Sequence, residues 1–187
     1  TTLFRSSLLF NFADEITFGK MKWEQNGQDI IMRDSGGNQA ASVTFKNAMT
    51  TFADNSDKLD FKFTNGRLYV DDQIYHVKGG AGTVIADEDA KYAGNILVGS
   101  SGADRLVSGK GNDLLFGGAG ADTFVFNNNF GNDTIIGSDS QDKVVFNQLF
   151  NGMEFSAKQS GNDLVIGYQQ TGLSTTNTLT INNWFTS

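Results

Sequence analysis

The chain has 187 residues and a formal net charge of −7, enough for one or two domains, and the negative charge disfavours nucleic acid or an anionic membrane surface as a partner. It contains no cysteine and one histidine, which excludes disulfides and thiolate metal sites and makes a hard cation the more natural partner. It has no proline but 22 Gly and 16 Phe, and no apolar run of membrane-spanning length.

The first 78 residues predict a flanking β domain. Within residues 18–49, apolar residues alternate on both sides of Asn26-Gly27, which predicts strand, tight turn, strand, loop and strand. Residues 57–77 then predict a hairpin with Asn65-Gly66 as its turn. Helix signals are weak, and the one short helix expected lies around "DEDAKYAG" (87–94), where an acidic first turn precedes a glycine.

Residues 79–146 carry a nine-residue repeat of glycine, aspartate and one apolar residue. Its pattern, GGxGxDxUx, is the signature of a calcium-binding parallel β-roll. The apolar U residue lies on a three-residue strand and points inward, while the glycine-rich part reverses the chain through positive-φ positions. Two repeats make a full turn, so Asp104 is expected beside Asp122. The repeated positions are Asp104, Asp113 and Asp122, with Leu106, Leu115 and Phe124.

The repeat continues in degraded form on both sides. Asn95 and Leu97 lie one period upstream, and Asp133 follows Asp122 by eleven residues rather than nine. Asp142 and Val144 come nine residues later. Upstream, "GGAGTVIAD" keeps the glycines but has Val84 at the position predicted for the carboxylate. Three good loops, two fair ones and one or two capping loops predict two to four bound ions.

Calcium is the metal that this pattern favours. Carboxylates stacked at the strand spacing of about 5 Å repel each other by roughly 1–3 kcal/mol near a surface. Calcium accepts six to eight oxygens, backbone carbonyls included, in a flexible geometry, whereas magnesium demands a tight octahedron. Zinc prefers Cys or His ligands, and the chain has no Cys and only one His.

The end of the chain repeats its beginning, and residues 147–187 predict a C-terminal capping β unit. The two copies differ by two short insertions, and each copy is predicted to form three strands. The matched residues are Phe18 with Phe150, Met21 with Met153, Trp23 with Phe155, Gln25, Gly27 and Asp29 with Gln159, Gly161 and Asp163, and Val43, Phe45 and Asn47 with Leu179, Ile181 and Asn183.

The stretch "GSSGADRLVSGKGNDLLFGGAGADTFVF" resembles the RTX (repeats-in-toxin) blocks of Gram-negative secreted proteins. "GNDLVIGY" and "NTLTINNWF" resemble the domain that flanks such blocks in haemolysin-type toxins, adenylate cyclase toxin and giant adhesins. The first unit is similar to that domain, with Ala48-Met49 replacing the usual aromatic pair. The resemblance implies an all-β fold, a parallel β-roll flanked by antiparallel, β-sandwich-like caps. It also implies export by type I secretion machinery and folding by calcium outside the cell.

The resemblance implies the calcium ligands as well. One loop supplies nonapeptide positions 2, 4 and 6, and the loop one turn later supplies positions 1, 3 and 6, through carbonyl oxygens and the Asp side chains. The first implied site contains Ser100, Gly102 and Asp104 with Gly117, Ala119 and Asp122. The second contains Gly109, Gly111 and Asp113 with Asn128, Phe130 and Asp133. The third, weaker because Asn95 is uncharged, contains Lys91, Ala93 and Asn95 with Ser108, Lys110 and Asp113. The fourth contains Gly118, Gly120 and Asp122 with Gly137, Asp139 and Asp142.

The capping unit is expected to close the open end of the roll and to nucleate its folding. The apolar residues expected to cover that end are Phe146, Phe150, Phe155, Ile181, Trp184 and Phe185. Because the chain is expected to fold outside the cell, we expect a secreted, extracellular protein. If its parent protein is attached to the cell surface, the chain is held there as well. The sequence begins at Thr1 rather than Met and shows no signal peptide, so we expect a piece of a longer protein.

No enzyme is expected in this chain. It has neither the HExxH motif of a zinc protease nor the GxSxG motif of a lipase. His76 lies in a strand pattern, and Ser35 of "RDSGGN" falls in a predicted hairpin loop. The alternative function is a calcium-dependent adhesin module that binds a host-cell glycan or peptide, with exposed aromatic residues as contacts. The candidates for those contacts are Trp23, Tyr69, Tyr75 and Trp184.

Overall fold

The computed structural model describes residues 6–11, 21–34, 42–54, 59–64, 73–88, 93–147, 153–170 and 176–186. Within them the fold is all-β apart from one short helix, as predicted. The elements are β1 (Ser6–Asn11), β2 (Met21–Asn26), β3 (Asp29–Asp34), β4 (Ser42–Phe45), α1 (Ala48–Asp54), β5 (Leu59–Thr64), β6 (Gln73–Gly79), β7 (Thr83–Ile85), β8 (Gly94–Val98), β9 (Arg105–Val107), β10 (Leu114–Phe116), β11 (Thr123–Phe126), β12 (Asn132–Ile136), β13 (Lys143–Phe146), β14 (Met153–Ser160), β15 (Asp163–Gln170) and β16 (Thr176–Ile181).

Strands β7 to β13 form the roll by alternating between two parallel sheets. A short sheet has the order β13-β11-β9-β7, while β8, β10 and β12 are neighbours in a long sheet. The apolar residue of each repeat points between the sheets, as predicted, because strand side chains alternate between the two faces. Leu97, Leu106, Leu115 and Phe124 are all 0% exposed, and Leu106 pairs with Phe124 one full turn later.

The eleven-residue spacing after Asp122 is absorbed without loss of register. Leu115 pairs with Ile135, and Phe124 pairs with Val144. Strand β11 is one residue longer than β9 and β10, and Phe126 at its end packs inside the roll against Phe130, with ring centroids 5.1 Å apart. The longer strand and the loop after it therefore add aromatic side chains to the core.

The expectation for Val84 is wrong. Val84 pairs with Leu106 and is buried, so it takes the apolar position rather than that of the carboxylate. The turn between β6 and β7 spans only residues 80–82, which brings Gly82 beside Asp104. An apolar side chain is favoured inside the roll, and the short turn lets the chain place it there.

The long sheet continues beyond the roll on both sides, with the order β1-β5-β6-β8-β10-β12-β16-β15-β14. Strands β5 and β6 pair antiparallel, as predicted, and β6 then pairs parallel with β8. The predicted turn of this hairpin, Asn65-Gly66, lies outside the described residues. At the other end, β16 pairs parallel with β12 and antiparallel with β15.

The predicted duplication is confirmed. Strands β2, β3, β4 and the following turn (residues 21–54, the first β unit) have the same fold as β14, β15, β16 and their turn (residues 153–186, the second β unit). Gly27 and Gly161 both have left-handed backbones, with φ of 59° and 62°. Asp29 Oδ1 accepts a hydrogen bond from Asn47 N at 2.9 Å, and Asp163 Oδ1 accepts one from Asn183 N at 2.8 Å.

The repeat alignment changes in the first strand of each unit. Both hairpins pair residue for residue up to their glycine turns, so no insertion interrupts the first strand. Trp23, which lies opposite Met32, therefore corresponds to Ala157 opposite Ile166, and Met21 corresponds to Phe155, so the predicted matches of Trp23 with Phe155 and of Met21 with Met153 are wrong. The turns after β4 and β16 also correspond, which places Ala48 and Met49 at the positions of Trp184 and Phe185.

The predicted helix is not found at the positions that the structure describes. Asp87 and Glu88 are not helical, Gly94 begins β8, and residues 89–92 lie outside the described part. The helix is α1, which the propensity of its residues did not indicate. Its Met49 and Phe52 are 4% and 3% exposed, because α1 packs on the long sheet, and such packing rather than propensity stabilises short helices.

Two apolar cores lie on opposite faces of the long sheet. One fills the roll and is closed by β15 and β16 through Tyr168, Leu179 and Ile181. The other lies between the outer face of the long sheet and the first β unit. It contains Trp23, Ile30, Met32, Ala48, Met49, Phe52, Val77, Ile96, Val98, Leu114, Phe116 and Ile136.

The predicted cover of the open end is partly correct. Phe146 and Phe155 contact each other there with centroids 5.4 Å apart, and Ile181 is buried. Phe150 lies outside the described residues. Trp184 and Phe185 do not cover the roll but are 53% and 44% exposed. The reason is a hydrogen bond from Phe185 N to Asn162 O, which holds this turn at the tip of the β14–β15 hairpin.

Candidate metal centre

One column of aspartates lies along the loops that precede the short sheet. Each carboxylate accepts a hydrogen bond from the backbone N–H of the corresponding residue one turn earlier. Gly82 N donates to Asp104 Oδ1 at 2.5 Å, Asp104 N to Asp122 Oδ1 at 2.8 Å, and Asp122 N to Asp142 Oδ1 at 2.9 Å. The predicted stacking of Asp104 with Asp122 is thus confirmed.

A second column lies on the opposite side of the roll. Asn95 N donates to Asp113 Oδ1 at 2.6 Å, and Asp113 N donates to Asp133 Oδ1 at 2.8 Å. Asn95 continues the column with a neutral amide, which donates to the Asp87 carbonyl and the Asp113 carboxylate. Asn95, Asp113 and Asp133 are all at most 2% exposed. Both columns therefore bury carboxylates in register, as the spacing predicted.

Backbone carbonyls converge between consecutive loops of a column. A Cβ atom added to Gly118 would overlap the Ser100 carbonyl oxygen, and one on Gly120 would lie 2.7 Å from the Gly102 carbonyl oxygen. The Gly117 carbonyl oxygen points back toward Gly99 in the preceding loop. These oxygens thus lie where the two loops contact each other, close to Asp104 and Asp122, and the Ser100 oxygen also accepts a hydrogen bond from Ala119 N.

Gly118→Ala is expected to lower the free energy of unfolding by about 2–5 kcal/mol, because it combines left-handed strain with a backbone overlap. The backbone φ of Gly118 is 102°. Gly27→Ala is the matched control, since its φ is also positive but no heavy atom lies within 4 Å of the added Cβ. Denaturant unfolding of both variants measures the difference, and equal losses would contradict close stacking of the loops.

The carboxylates sit in an environment that resists their ionisation. Burial raises the pKa of Asp133 well above its ordinary value, and the charge of Asp113 raises it further. Burial also raises the pKa of Asp113, with Glu88 adding to the effect. Burial and the charges of Asp142, Asp104 and Asp139 raise the pKa of Asp122 to about 6. In the described part of the chain, the groups that oppose these shifts are neutral hydrogen-bond donors, so no positive charge there compensates the carboxylates.

The donor set fits a hard cation. Asp133 Oδ2 is buried and has no hydrogen-bond partner, and the same holds for Ser108 Oγ nearby. The Ser108 hydroxyl lies close enough to lower the pKa of Asp133 slightly, but the two atoms do not reach hydrogen-bond geometry. A buried carboxylate oxygen without a partner is costly, and a cation would satisfy it.

Acidic side chains alone would not make a metal site here. Among the described residues, no three Asp, Glu, His or Cys side chains come together at one point. The ligands available to a cation are therefore pairs of carboxylates together with several carbonyl oxygens. This donor set suits calcium rather than zinc or magnesium.

The four implied sites differ in how completely the structure describes them. The loops of the first and fourth are stacked, and in the fourth Asp139 N donates to Asp142 Oδ2 at 2.9 Å.

In the second, Gly111 faces Gly131, while Phe130 packs in the core and Asn128 accepts a hydrogen bond from Tyr168. In the third, the Ala93 carbonyl faces Gly111, and Lys91 lies outside the described residues. The ligand sets themselves stay predictions.

Sequence analysis missed the residues at the ends of the columns. Gly82 begins one column, and Asn177 of β16 lies beside the other, where its Oδ1 accepts a hydrogen bond from Gly131 N at 3.0 Å. Asn177 is 46 residues from Gly131 and lies outside the nine-residue register, so only the pairing of β16 with β12 brings them together.

Comparisons with known proteins bear on the same residues. A family model of the RTX calcium-binding nonapeptide repeat matches four copies, over residues 92–127 and 129–148. No curated protein matches the sequence. An extracellular lipase from Serratia marcescens has a similar structure, with a TM-score of 0.38 and 16% identity over 96% of this chain, which spans 31% of the lipase chain. Residues 92–148, with their two aspartate columns and stacked glycine loops, are therefore RTX calcium-binding repeats folded as a parallel β-roll.

Proposed function

We propose that this chain is a calcium-dependent folding module of a larger secreted toxin or adhesin, which it stabilises or presents after type I secretion. The observation that carries the proposal is the pair of aspartate columns, in which buried carboxylates lie close enough for the charge of one to raise the pKa of the next. Asp133 Oδ2 is buried and has no hydrogen-bond partner. Without a cation, the ionised roll would bear a repulsion that strands of three to five residues offset poorly.

Calcium binding would stabilise the folded state relative to the unfolded state. A ligand that binds only the folded state stabilises it by RT ln(1 + [L]/Kd) for each site, about 1.4 kcal/mol at tenfold excess. Extracellular calcium modules have Kd values near 10⁻⁴–10⁻³ M, far above cytosolic calcium. The same chain would then be disordered inside the cell and folded outside it, with two to four ions bound.

Export in an unfolded state agrees with other features of the chain. It contains no cysteine and no proline, so neither disulfide formation nor slow prolyl isomerisation delays its folding outside. No helix in the described ranges is long and apolar enough to span a membrane. The proposal places the module outside the cell and assigns it no catalytic activity of its own.

A second candidate is a calcium-dependent module that binds a glycan or peptide. A cleft of about 530 Å³ favours it, lying between β2, the outer face of the long sheet and the tip of the β14–β15 hairpin. Its polar lining includes Lys22, Glu24, Asn162 and Asp163. Among the proposed aromatic contacts, Trp23 is buried and Trp184 exposed, while Tyr69 and the Tyr75 side chain lie outside the described part. Calcium-dependent binding on glycan and peptide arrays would support this function, and its absence would exclude it.

Calcium titration of the full chain tests the first proposal. Far-ultraviolet circular dichroism is expected to show a cooperative coil-to-β transition near millimolar calcium, and calorimetry to count two to four ions. Magnesium at equal concentration is the control and should not induce the transition, because it keeps its waters and its octahedral geometry. A complete β spectrum in the presence of chelator would contradict the proposal.

A further inference from the structure

The first β unit contacts both loops of the fourth implied calcium site. Gln25, near the tip of the β2–β3 hairpin, lies against Gly137, since a Cβ atom added to that glycine would be 2.5 Å from Gln25 Oε1. Met49 of α1 lies against Gly118, where an added Cβ would be 3.6 Å from Met49 Cε. Gly118 and Gly137 belong to the two stacked loops of that site, so a segment outside the repeats reaches it.

The side-chain amide of Gln25 turns its oxygen toward the loop. Gln25 Nε2 donates a hydrogen bond to the Gly27 carbonyl oxygen at 3.2 Å. Because that carbonyl only accepts, the nitrogen of the amide must lie on its side, and Oε1 must face Gly137. The equivalent Gln159 of the second β unit makes the same bond to Gly161 at 2.9 Å, so the duplication supports this orientation.

The position of this oxygen is unfavourable without a cation. Gln25 Oε1 is buried and has no hydrogen-bond partner, and burying an amide oxygen without a donor is costly. The loop that it faces is also acidic, since the charges of Asp139 and Asp142 reach Asp122 and raise its pKa. A partly negative oxygen pointing at these carboxylates is repelled, whereas a cation between them would attract all of these oxygens.

Calcium can accept a further ligand of this kind. It binds six to eight oxygens in a flexible geometry, and side-chain amide carbonyls are among its usual ligands. The roll residues implied for the fourth site leave room for another oxygen within that number. Glycine at position 137 keeps the approach open, because any side chain there would overlap Gln25.

We propose that Gln25 Oε1 is a calcium ligand supplied by the first β unit, and that it binds the ion held between loops 117–122 and 137–142. The ion then joins two distant parts of the chain, the roll and the β2–β3 hairpin. The nine-residue repeat alone does not provide this ligand, because Gln25 lies outside the repeat and reaches the site only through packing of the first β unit on the long sheet.

The duplication supplies a matched control for the test. Gln159 is exposed to solvent, although it makes the same local hydrogen bond as Gln25. Substitutions at either position lose that bond. A difference between the two positions therefore reports the contact with the calcium loop.

The test is calcium calorimetry of the full chain with Ala and Glu at each position. Gln25→Ala is expected to weaken one ion about tenfold, since it removes a neutral oxygen from a charged centre. Gln25→Glu is expected to tighten the same ion about tenfold, because calcium affinity rises with the charge of its ligands. Gln159→Ala and Gln159→Glu should each change the Kd values less than about twofold. Gln25 variants that bind like the Gln159 variants would overturn the proposal.

A double-mutant cycle identifies which ion Gln25 binds. Asp142→Asn removes a charge from the fourth implied site, so Gln25→Ala added to it should change the titration less than about twofold further. The full tenfold loss on top of Asp142→Asn would place Gln25 away from this ion and would contradict the assignment.

The inference rests on calcium binding by the roll, and the same titrations separate the two ideas. If the unmodified chain binds no calcium, the proposed function fails and the inference fails with it. If the unmodified chain binds its ions while the substitutions at Gln25 and Gln159 have equal effects, the assignment of Gln25 alone fails.

Discussion

Asp104→Ala/Asp122→Ala is expected to abolish the calcium-induced transition at millimolar calcium. Asp122 lies between Asp104 and Asp142 in its column, so the double variant damages two consecutive implied sites. The variant removes carboxylate ligands of the cation, and we expect at least about a hundredfold rise in the calcium midpoint, equivalent to about 2.7 kcal/mol of binding free energy. Circular dichroism and calorimetry of the full chain across a calcium series provide the measurement.

The asparagine variants separate metal binding from a purely structural role. Asn95 and Asn177 already accept backbone hydrogen bonds through Oδ1 in the second column. Asp104→Asn/Asp122→Asn therefore keeps the N–H···O contacts but removes the charges that hold a cation. We expect it to lose the calcium response, whereas the exposed Glu154→Gln should behave as the unmodified chain. A normal response of the asparagine variant would show that the carboxylates serve only as hydrogen-bond acceptors.

Deletion of residues 147–187 is expected to prevent folding of the roll even in excess calcium. The deletion removes β14, β15 and β16 and exposes the aromatic end of the interior. Phe130 and Phe146 would lose Tyr168, whose ring centroid lies 5.9 and 6.2 Å from theirs. It also leaves β12 as an unpaired edge. A full calcium-induced circular dichroism change in the truncated chain would contradict this role of the second β unit.

Single substitutions test the same contact without removing a segment. Ile181 is 3% exposed and packs in the roll core, so Ile181→Ala should lower the free energy of unfolding with calcium by about 2–4 kcal/mol. Thr180→Ala is the matched control in the next position, because Thr180 faces the other side of the sheet and should cost less than about 1 kcal/mol. Similar losses in the two variants would show that the cap acts only through its backbone pairing.

The periodic part of the fold could be predicted because it rests on local rules. A glycine at a positive-φ position, an inward apolar residue and an aspartate recur within nine residues, and each repeat contacts only its neighbours. This gave the inward positions of Leu97, Leu106, Leu115 and Phe124 and the stacking of Asp104 on Asp122. The duplication was equally visible, since Gly27 and Gly161 mark the same hairpin turn.

The errors occurred where one element depends on a distant one. The glycines of "GGAGTVIAD" match the repeat and therefore suggest that Val84 takes the aspartate position. Strand β6 ends in the long sheet so close to β7 that the turn between them is short, and Val84 takes the inward apolar position instead. Helix α1 lacked a propensity signal because its stability comes from packing on the long sheet. The sequence places Trp184 and Phe185 at the end of the roll, yet the hydrogen bond from Phe185 N to Asn162 O holds them at the tip of the β14–β15 hairpin.

The sequence by itself determined that this chain contains a parallel β-roll, which positions face its interior, and that its loops present aspartates in pairs to a hard cation. It also determined that one β unit occurs twice. Only the tertiary structure decided what each copy covers, because the two units are equivalent in local pairing and differ in the distant surfaces they meet. It likewise decided where the aspartate columns end, since Gly82 and Asn177 reach them through strand pairing between segments that have no common period.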